Sequence, residues 1–222
     1  MQALIPIIPA IIPTSHAELE VVLKQLQGIP EIHVDVVDGN FVPTISWPYE
    51  PVGEPKSLIS LLNRFSLEVD LMVRNPLMAA EAWVSAGADQ LVFHVETISV
   101  EAFQEYSDRA TVSVGVCALM DTPDSVLEPY LAYADYVQVM GIAKIGNQGQ
   151  PFDDRVFDRI LWLRATAPQL PISIDGSVNA MTLPKIIPYE LDRYIVGSAI
   201  VKQPNPRQAY SELVNLVQST GK

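Results

Sequence analysis

The sequence is poor in cysteine and in positive charge, and each shortage excludes something. One cysteine in 222 residues rules out an internal disulfide. Cys117 lies in the apolar run T-V-S-V-G-V-C-A-L, where it reads as a core residue rather than a nucleophile, and a reducing cytoplasm is the expected compartment. Against 26 Asp and Glu there are only 14 Lys and Arg, a formal charge of −12. Neither a nucleic-acid backbone nor an anionic membrane is therefore an expected partner, because both attract a basic face. The phosphate of a small ligand is not excluded, since backbone amides and helix N-termini hold it without net positive charge. No apolar stretch approaches the roughly 20 residues of a membrane span. The opening M-Q-A-L-I-P-I-I-P-A-I-I-P lacks a basic n-region and carries Pro6, Pro9 and Pro13, so it reads as a first strand rather than a signal peptide.

What is present is a regular alternation in a chain that is 49% apolar. Runs rich in Val and Ile fall at residues 4–11, 31–37, 66–72, 90–95, 111–118, 136–140, 171–175 and 193–196. Between them the pattern predicts helices over 15–27, with Ser15 as N-cap and Gly28 beyond the end, and over 54–65, 76–86 and 152–166. A seventh helix must be short or broken, because Pro184 and Pro188 interrupt it. Eight short apolar strands alternating with helices predict one α/β domain over residues 1–222, a closed (β/α)8 TIM barrel, with an open doubly wound sheet as the alternative. Residues 43–55, with four prolines, Trp47 and Tyr49, form a long loop after the second strand that either closes over a site or packs on a neighbouring subunit.

Polar residues interrupt the apolar strands at regular places. In I-H-V-D-V-V-D-G, His33 and Asp35 share one face while Ile32, Val34 and Val36 form the other, so neither face offers water to the imidazole and carboxylate. The third strand puts Glu68, Asp70 and Met72 on one face, and the seventh puts Ser173 and Asp175 on one face. In a barrel these faces point inward, so Asp35, Asp70 and Asp175 converge with His33. Three carboxylates close together need a compensating cation, which is the physical case for a divalent metal. His94 is read as a satisfied core histidine and His16 as solvated.

The strand H-V-D-V-V-D-G-N-F-V-P, followed by E-V-D-L-M, F-H-V-E, V-M-G, I-D-G-S and V-G-S-A-I in order, resembles the ribulose-phosphate 3-epimerase family. The resemblance implies a ribulose-phosphate-binding barrel, an isomerase that inverts C3 of a phosphorylated ketose. D-ribulose 5-phosphate giving D-xylulose 5-phosphate is the leading reaction, with another ketose phosphate as an alternative. It implies Asp35 and Asp175 as acid/base pair and His33, Asp35, Asp70 and Asp175 as ligands of one divalent metal. Met72 and Met140 would shield the reacting carbon, and Gly146, Gly149, Gly176, Ser177, Gly197 and Ser198 would bind the substrate, mainly its phosphate. A small phosphorylated sugar is thus the expected partner, and a homo-oligomer the expected assembly.

Four departures from the family pattern stand out. Asp70 occupies the place of a histidine ligand, which would favour Mn, Mg or Fe over Zn, unless Asp70 instead pairs with Lys144 or Arg74 and metal binding is lost. Ala10 replaces a serine, Val37 replaces a methionine, and the loop A-K-I-G-N-Q-G-Q-P-F is one residue longer and carries Lys144. Together these leave open a sugar-phosphate-binding protein impaired in catalysis. A lyase or decarboxylase on a related barrel is disfavoured, because all six lysines fall outside the predicted strands.

Overall fold

In the computed structural model, which describes residues 7–220, eight parallel strands close on themselves in sequence order. The strands are β1 (Ile7–Ile11), β2 (Glu31–Val37), β3 (Ser66–Met72), β4 (Gln90–His94), β5 (Ser113–Cys117), β6 (Tyr136–Met140), β7 (Ile172–Asp175) and β8 (Arg193–Val196). Pairing of β1 with β8, Ile8 against Ile195, closes the ring and excludes the open sheet. Residues 4–6 of the first expected strand lie outside the described residues.

The helices follow their strands. They are α1 (His16–Gln25), α2 (Ile59–Leu62), α3 (Pro76–Ser85), α4 (Val100–Arg109), α5 (Asp124–Leu127), α6 (Val156–Thr166), α7 (Leu183–Ile186), α8 (Ser198–Val201) and α9 (Pro206–Thr220). Ser15 caps α1 by accepting from Glu18 N at 3.1 Å, as its position predicts. Two helices are shorter than expected. The second is a 3-10 turn, Pro55–Leu58, running into α2, because the chain must already turn into β3 at Ser66. The sixth starts at Val156, since Asp153 N is tied to Gly141 O at 2.8 Å and holds Phe152 and Asp153 off the helix. The seventh is broken as its prolines require, α7 giving way to a 3-10 turn at Ile187–Tyr189.

The main core lies outside the ring, where strand residues such as Ile32, Val34, Val36, Leu67, Val69 and Leu71 meet the helices. Inside the ring there are two smaller apolar groups. One gathers Val37, Met72, Val92, Cys117, Tyr136 and Met140, running from the start of β6 to the C-terminal mouth; the other joins Ile8, Ala10 and Ile195. Cys117 is fully buried there, and burial pushes its thiol up, which fits a core residue.

The loop after β2 is fastened to its own barrel. Trp47 is buried, stands edge-on to Trp83 at 6.2 Å and to His16 at 5.8 Å, and donates its backbone N–H to Pro13 O at 2.8 Å. His16, expected in solvent, is therefore half-buried against an indole. Removing the Trp47 ring leaves a cavity that the rigid strand ends cannot fill. Trp47→Ala is expected to cost about 3–5 kcal/mol of stability, read as a lower urea midpoint with an unchanged slope.

Candidate active site

Parallel register decides which inward side chains become neighbours. Across β2 and β3, His33 stands beside Glu68 and Asp35 beside Asp70. All four are buried. His33 is clamped between two carboxylates: its Nδ1 donates to Glu68 Oε1 at 2.6 Å, and its Nε2 faces Asp35 Oδ1 at 3.2 Å. Burial opposes charge on the imidazole, but Asp35 and Glu68 outweigh it and raise His33 well above its ordinary range. Glu68 is also gripped by Arg193, which bridges it to Glu31. Although burial favours its neutral form, the His33 hydrogen bond and the Arg193 charge hold Glu68 down at about 2.

Asp70 is not paired with Lys144 or Arg74. Its Oδ1 accepts from His94 Nε2 at 2.9 Å and its Oδ2 from Gln138 Nε2 at 2.8 Å, while Lys144 and Arg74 are exposed. The reason lies in the direction of the side chains: His94 and Gln138 point inward from β4 and β6, whereas the two cations sit on loops. His94 is thus more than a satisfied core histidine, because Asp70 outweighs its burial and raises it above the ordinary value. Its Nδ1 has no hydrogen-bond partner and lies 3.9 Å from Glu96 Oε2. Phe41, from the loop after β2, covers the ring at 5.2 Å between centroids.

One ligand atom each from His33, Asp35 and Asp70 falls within 4.8 Å of the others, so these three can hold a cation. Asp175, expected as a fourth ligand, is not in this group. The donor set fits a divalent ion: His33 Nδ1 is held by Glu68 and both Asp70 oxygens are oriented by His94 and Gln138, with further lone pairs left on the carboxylate. The convergence of carboxylates does not by itself demand a metal, however. Arg193, and His33 and His94, both of which neighbouring carboxylates favour in the protonated form, can supply positive charge to the same interior.

Above this polar layer a cavity of about 270 Å³ opens at the mouth. It is lined by Asp35 and Asp175, by Met72 and Met140, and by Gly146, Gly149, Gly176, Ser177, Gly197 and Ser198, which brings together every substrate-side residue read from the sequence. Burial and the nearby Asp35 charge push Asp175 up to about 8, and burial raises Asp35 as well, with His33 opposing. Gly176 and Ser177 both take left-handed backbone, φ 102° and 56°, held by Asn179 Nδ2 and Thr182 Oγ1 donating to Ser177 O. Both residues line the cavity, where the missing side chain of Gly176 lets backbone lie close to a ligand, and for Ser177 the conformation is strained.

Glu68, Gln138 and Arg193 were not singled out as site residues from the sequence. The available signal was a polar side chain on the inward face of an otherwise apolar strand, which Glu68 and Gln138 both display.

A family model described as "Ribulose-phosphate 3 epimerase family" matches residues 6–201. The chain is 30% identical over 222 residues to ribulose-phosphate 3-epimerase of Bacillus subtilis (strain 168), covering 95% of this chain and 98% of the relative. It is 30% identical over 178 residues to the enzyme of that name from Aquifex aeolicus (strain VF5), covering 78% of each. Among solved structures, 3-hexulose-6-phosphate synthase from Salmonella typhimurium superposes with a TM-score of 0.72 at 14% identity, covering 97% of this chain and 99% of that one, a likeness of fold alone.

The raised pKa values give a signed pH dependence. A carboxyl lifted from 3.8 to about 8 favours the protonated folded form, so its contribution to stability is complete at low pH and is lost as pH rises through about 8. His33, also raised, acts in the same direction. Metal-free protein is therefore expected to lose unfolding free energy between about pH 5 and about pH 8.5, and Asp175→Asn to lose less of it, as measured by urea unfolding in chelator.

Proposed function

The chain belongs to the ribulose-phosphate 3-epimerase family of isomerases, and from that premise we propose that it inverts C3 of a ketose phosphate, D-ribulose 5-phosphate giving D-xylulose 5-phosphate. The observation that supports this reading most is that Asp35 and Asp175 line one cavity, both carboxyls raised chiefly by burial and Asp175 further by the Asp35 charge, beside the turn at Gly176 and Ser177. Epimerisation needs one group to take a proton from carbon beside a carbonyl and another to return one from the opposite face. Asp35 faces the Nε2 edge of His33, where positive charge, on the imidazole of metal-free protein or on the divalent ion that would take the place of its proton, favours the carboxylate, so Asp35 takes the proton. Asp175 holds its proton at neutral pH and delivers it to the other face; the reverse reaction exchanges the roles.

Met72 and Met140 keep water from the reacting carbon, and the backbone N–H groups of residues 176–177 and 197–198 hold the phosphate. A divalent ion held by His33, Asp35 and Asp70 would supply Lewis acidity to the substrate oxygens where negative charge builds. A second reading, sugar-phosphate binding without turnover, is favoured by one observation: both Asp70 oxygens are already engaged by His94 and Gln138.

Proton exchange separates the two. In deuterated water, turnover of ribulose 5-phosphate is expected to place deuterium at C3 and yield the epimer; metal-replete protein that exchanges no ketose phosphate would support the binding reading. Asp35→Asn and Asp175→Asn are each expected to lower kcat by at least about 10²–10⁴.

The carboxylate at position 70 bears on the metal. A site of one imidazole and carboxylates is harder than one with two imidazoles, so chelated protein is expected to recover activity better with Mn²⁺, Mg²⁺ or Fe²⁺ than with Zn²⁺. Asp70→His is expected to raise zinc affinity in a titration of metal-stripped protein. Elemental analysis finding no divalent ion in the native protein, together with a zinc site appearing only in Asp70→His, would remove the metal from this proposal.

A further inference from the structure

We propose that Gln148, on the loop between β6 and α6, is a substrate-binding residue whose carboxamide donates a hydrogen bond to the ligand's phosphate at the seam between β1 and β8. The proposal rests on the reading of the cavity as a sugar-phosphate site. Gln148 reaches across the mouth from the β6 side, and its Nε2 donates to Ala10 O on β1 at 3.3 Å. A Cβ built on Gly197 would come within 2.7 Å of the same nitrogen, so the amide lies directly over the chain leaving β8. Ala10, Gln148, Gly197 and Ser198 all line the cavity. The missing side chain at Gly197 therefore makes room for this carboxamide as well as for a ligand.

The chemistry of the wall explains why a donor is needed there. No lysine or arginine lines the cavity among the described residues, so a phosphate dianion must be held by neutral N–H and O–H groups. The β1 section of the wall contributes a methyl group at Ala10 and no side-chain donor. Other amides are committed elsewhere: Asn147 Nδ2 donates to Thr44 Oγ1 at 2.8 Å, and Asn179 Nδ2 to Ser177 O at 2.8 Å. Gln150 also lines the cavity, but it is Gln148 whose nitrogen is placed at Ala10 and Gly197. The Ala10 contact is long and uses one of two N–H groups, leaving the second for a ligand. Asn147 fastens the same loop to the loop after β2, which holds Gln148 in reach.

Two substitutions of similar length test this. Gln148→Met keeps the bulk and removes the donor; Gln148→Glu also adds a charge that repels phosphate. Each is assayed for kcat and KM with ribulose 5-phosphate, and for binding of inorganic phosphate by calorimetry, with thermal unfolding as the check on folding. The expected result for Gln148→Met is that KM and the phosphate dissociation constant rise together by about 10-fold or more while kcat changes little, since the lost bond serves ground state and transition state alike. Gln148→Glu should raise both further. Unchanged KM and phosphate affinity in both variants overturn the proposal, and so does a raised KM with unchanged phosphate affinity, which would make Gln148 a loop pin or a contact to the sugar. A wild-type protein that binds phosphate but turns over no ketose phosphate would sink the epimerase reading while the calorimetric comparison still decides the role of Gln148.

Discussion

Four carboxyl groups, two imidazoles and the Arg193 guanidinium share the inside of one eight-stranded ring, and much of the site follows from how they neutralise one another. Glu68 is tied to both His33 and Arg193, Asp35 to His33, and Asp70 to His94. Removing one partner of a buried ion pair leaves an uncompensated charge, typically at a cost of about 3–5 kcal/mol, so each member holds the others in place. The network orients His33 from below, and only its upper edge, Asp35, reaches the cavity. Asp175 stands beyond it with no ion-pair partner among the described residues, and burial therefore lifts its pKa into the neutral range.

Above the network the interior becomes apolar, with Met72 and Met140 lining the cavity and Val37 packed in the same cluster, and then polar but uncharged at the rim. This layering suits a reaction that moves a proton on carbon while a phosphate anchors the far end of the molecule. Negative net charge on the whole chain would repel a phosphorylated ligand at long range, and neutral donors at short range give binding without a lysine or arginine in the wall. The loops after β2 and β6 meet over this rim: Thr44 receives Asn147, and Val42 lies against Gly146 so closely that an added Cβ would be 2.8 Å away.

The same barrel carries other chemistry in distant structural neighbours, which is why fold alone decides little. The described lysines, at 24, 56, 144, 185 and 202, all lie off the eight strands, so none is positioned as an inward electrophile or Schiff-base former. Inward carboxylates and imidazoles are what this interior offers instead.

Strand periodicity determined the barrel and the inward faces of β2, β3 and β7, because alternation along a strand is a local property, whereas the cavity residues on the loops were named by the family resemblance of their motifs. The short Asp-Gly-Ser and Gly-Ser segments at the ends of the last two strands were among those motifs, and all four of their glycine and serine residues line the cavity. Tertiary structure decided the partnerships. Nothing local connects Asp70 to His94, 24 residues on, or to Gln138, 68 residues on; the parallel register and the inward pointing of β4 and β6 make them neighbours. The same holds for Glu68 and Arg193, 125 residues apart, and for Gln148 at Ala10, 138 residues apart. A sequence pattern records which way a side chain points, whereas its charge state and its hydrogen-bond partner depend on what closure of the ring brings opposite it.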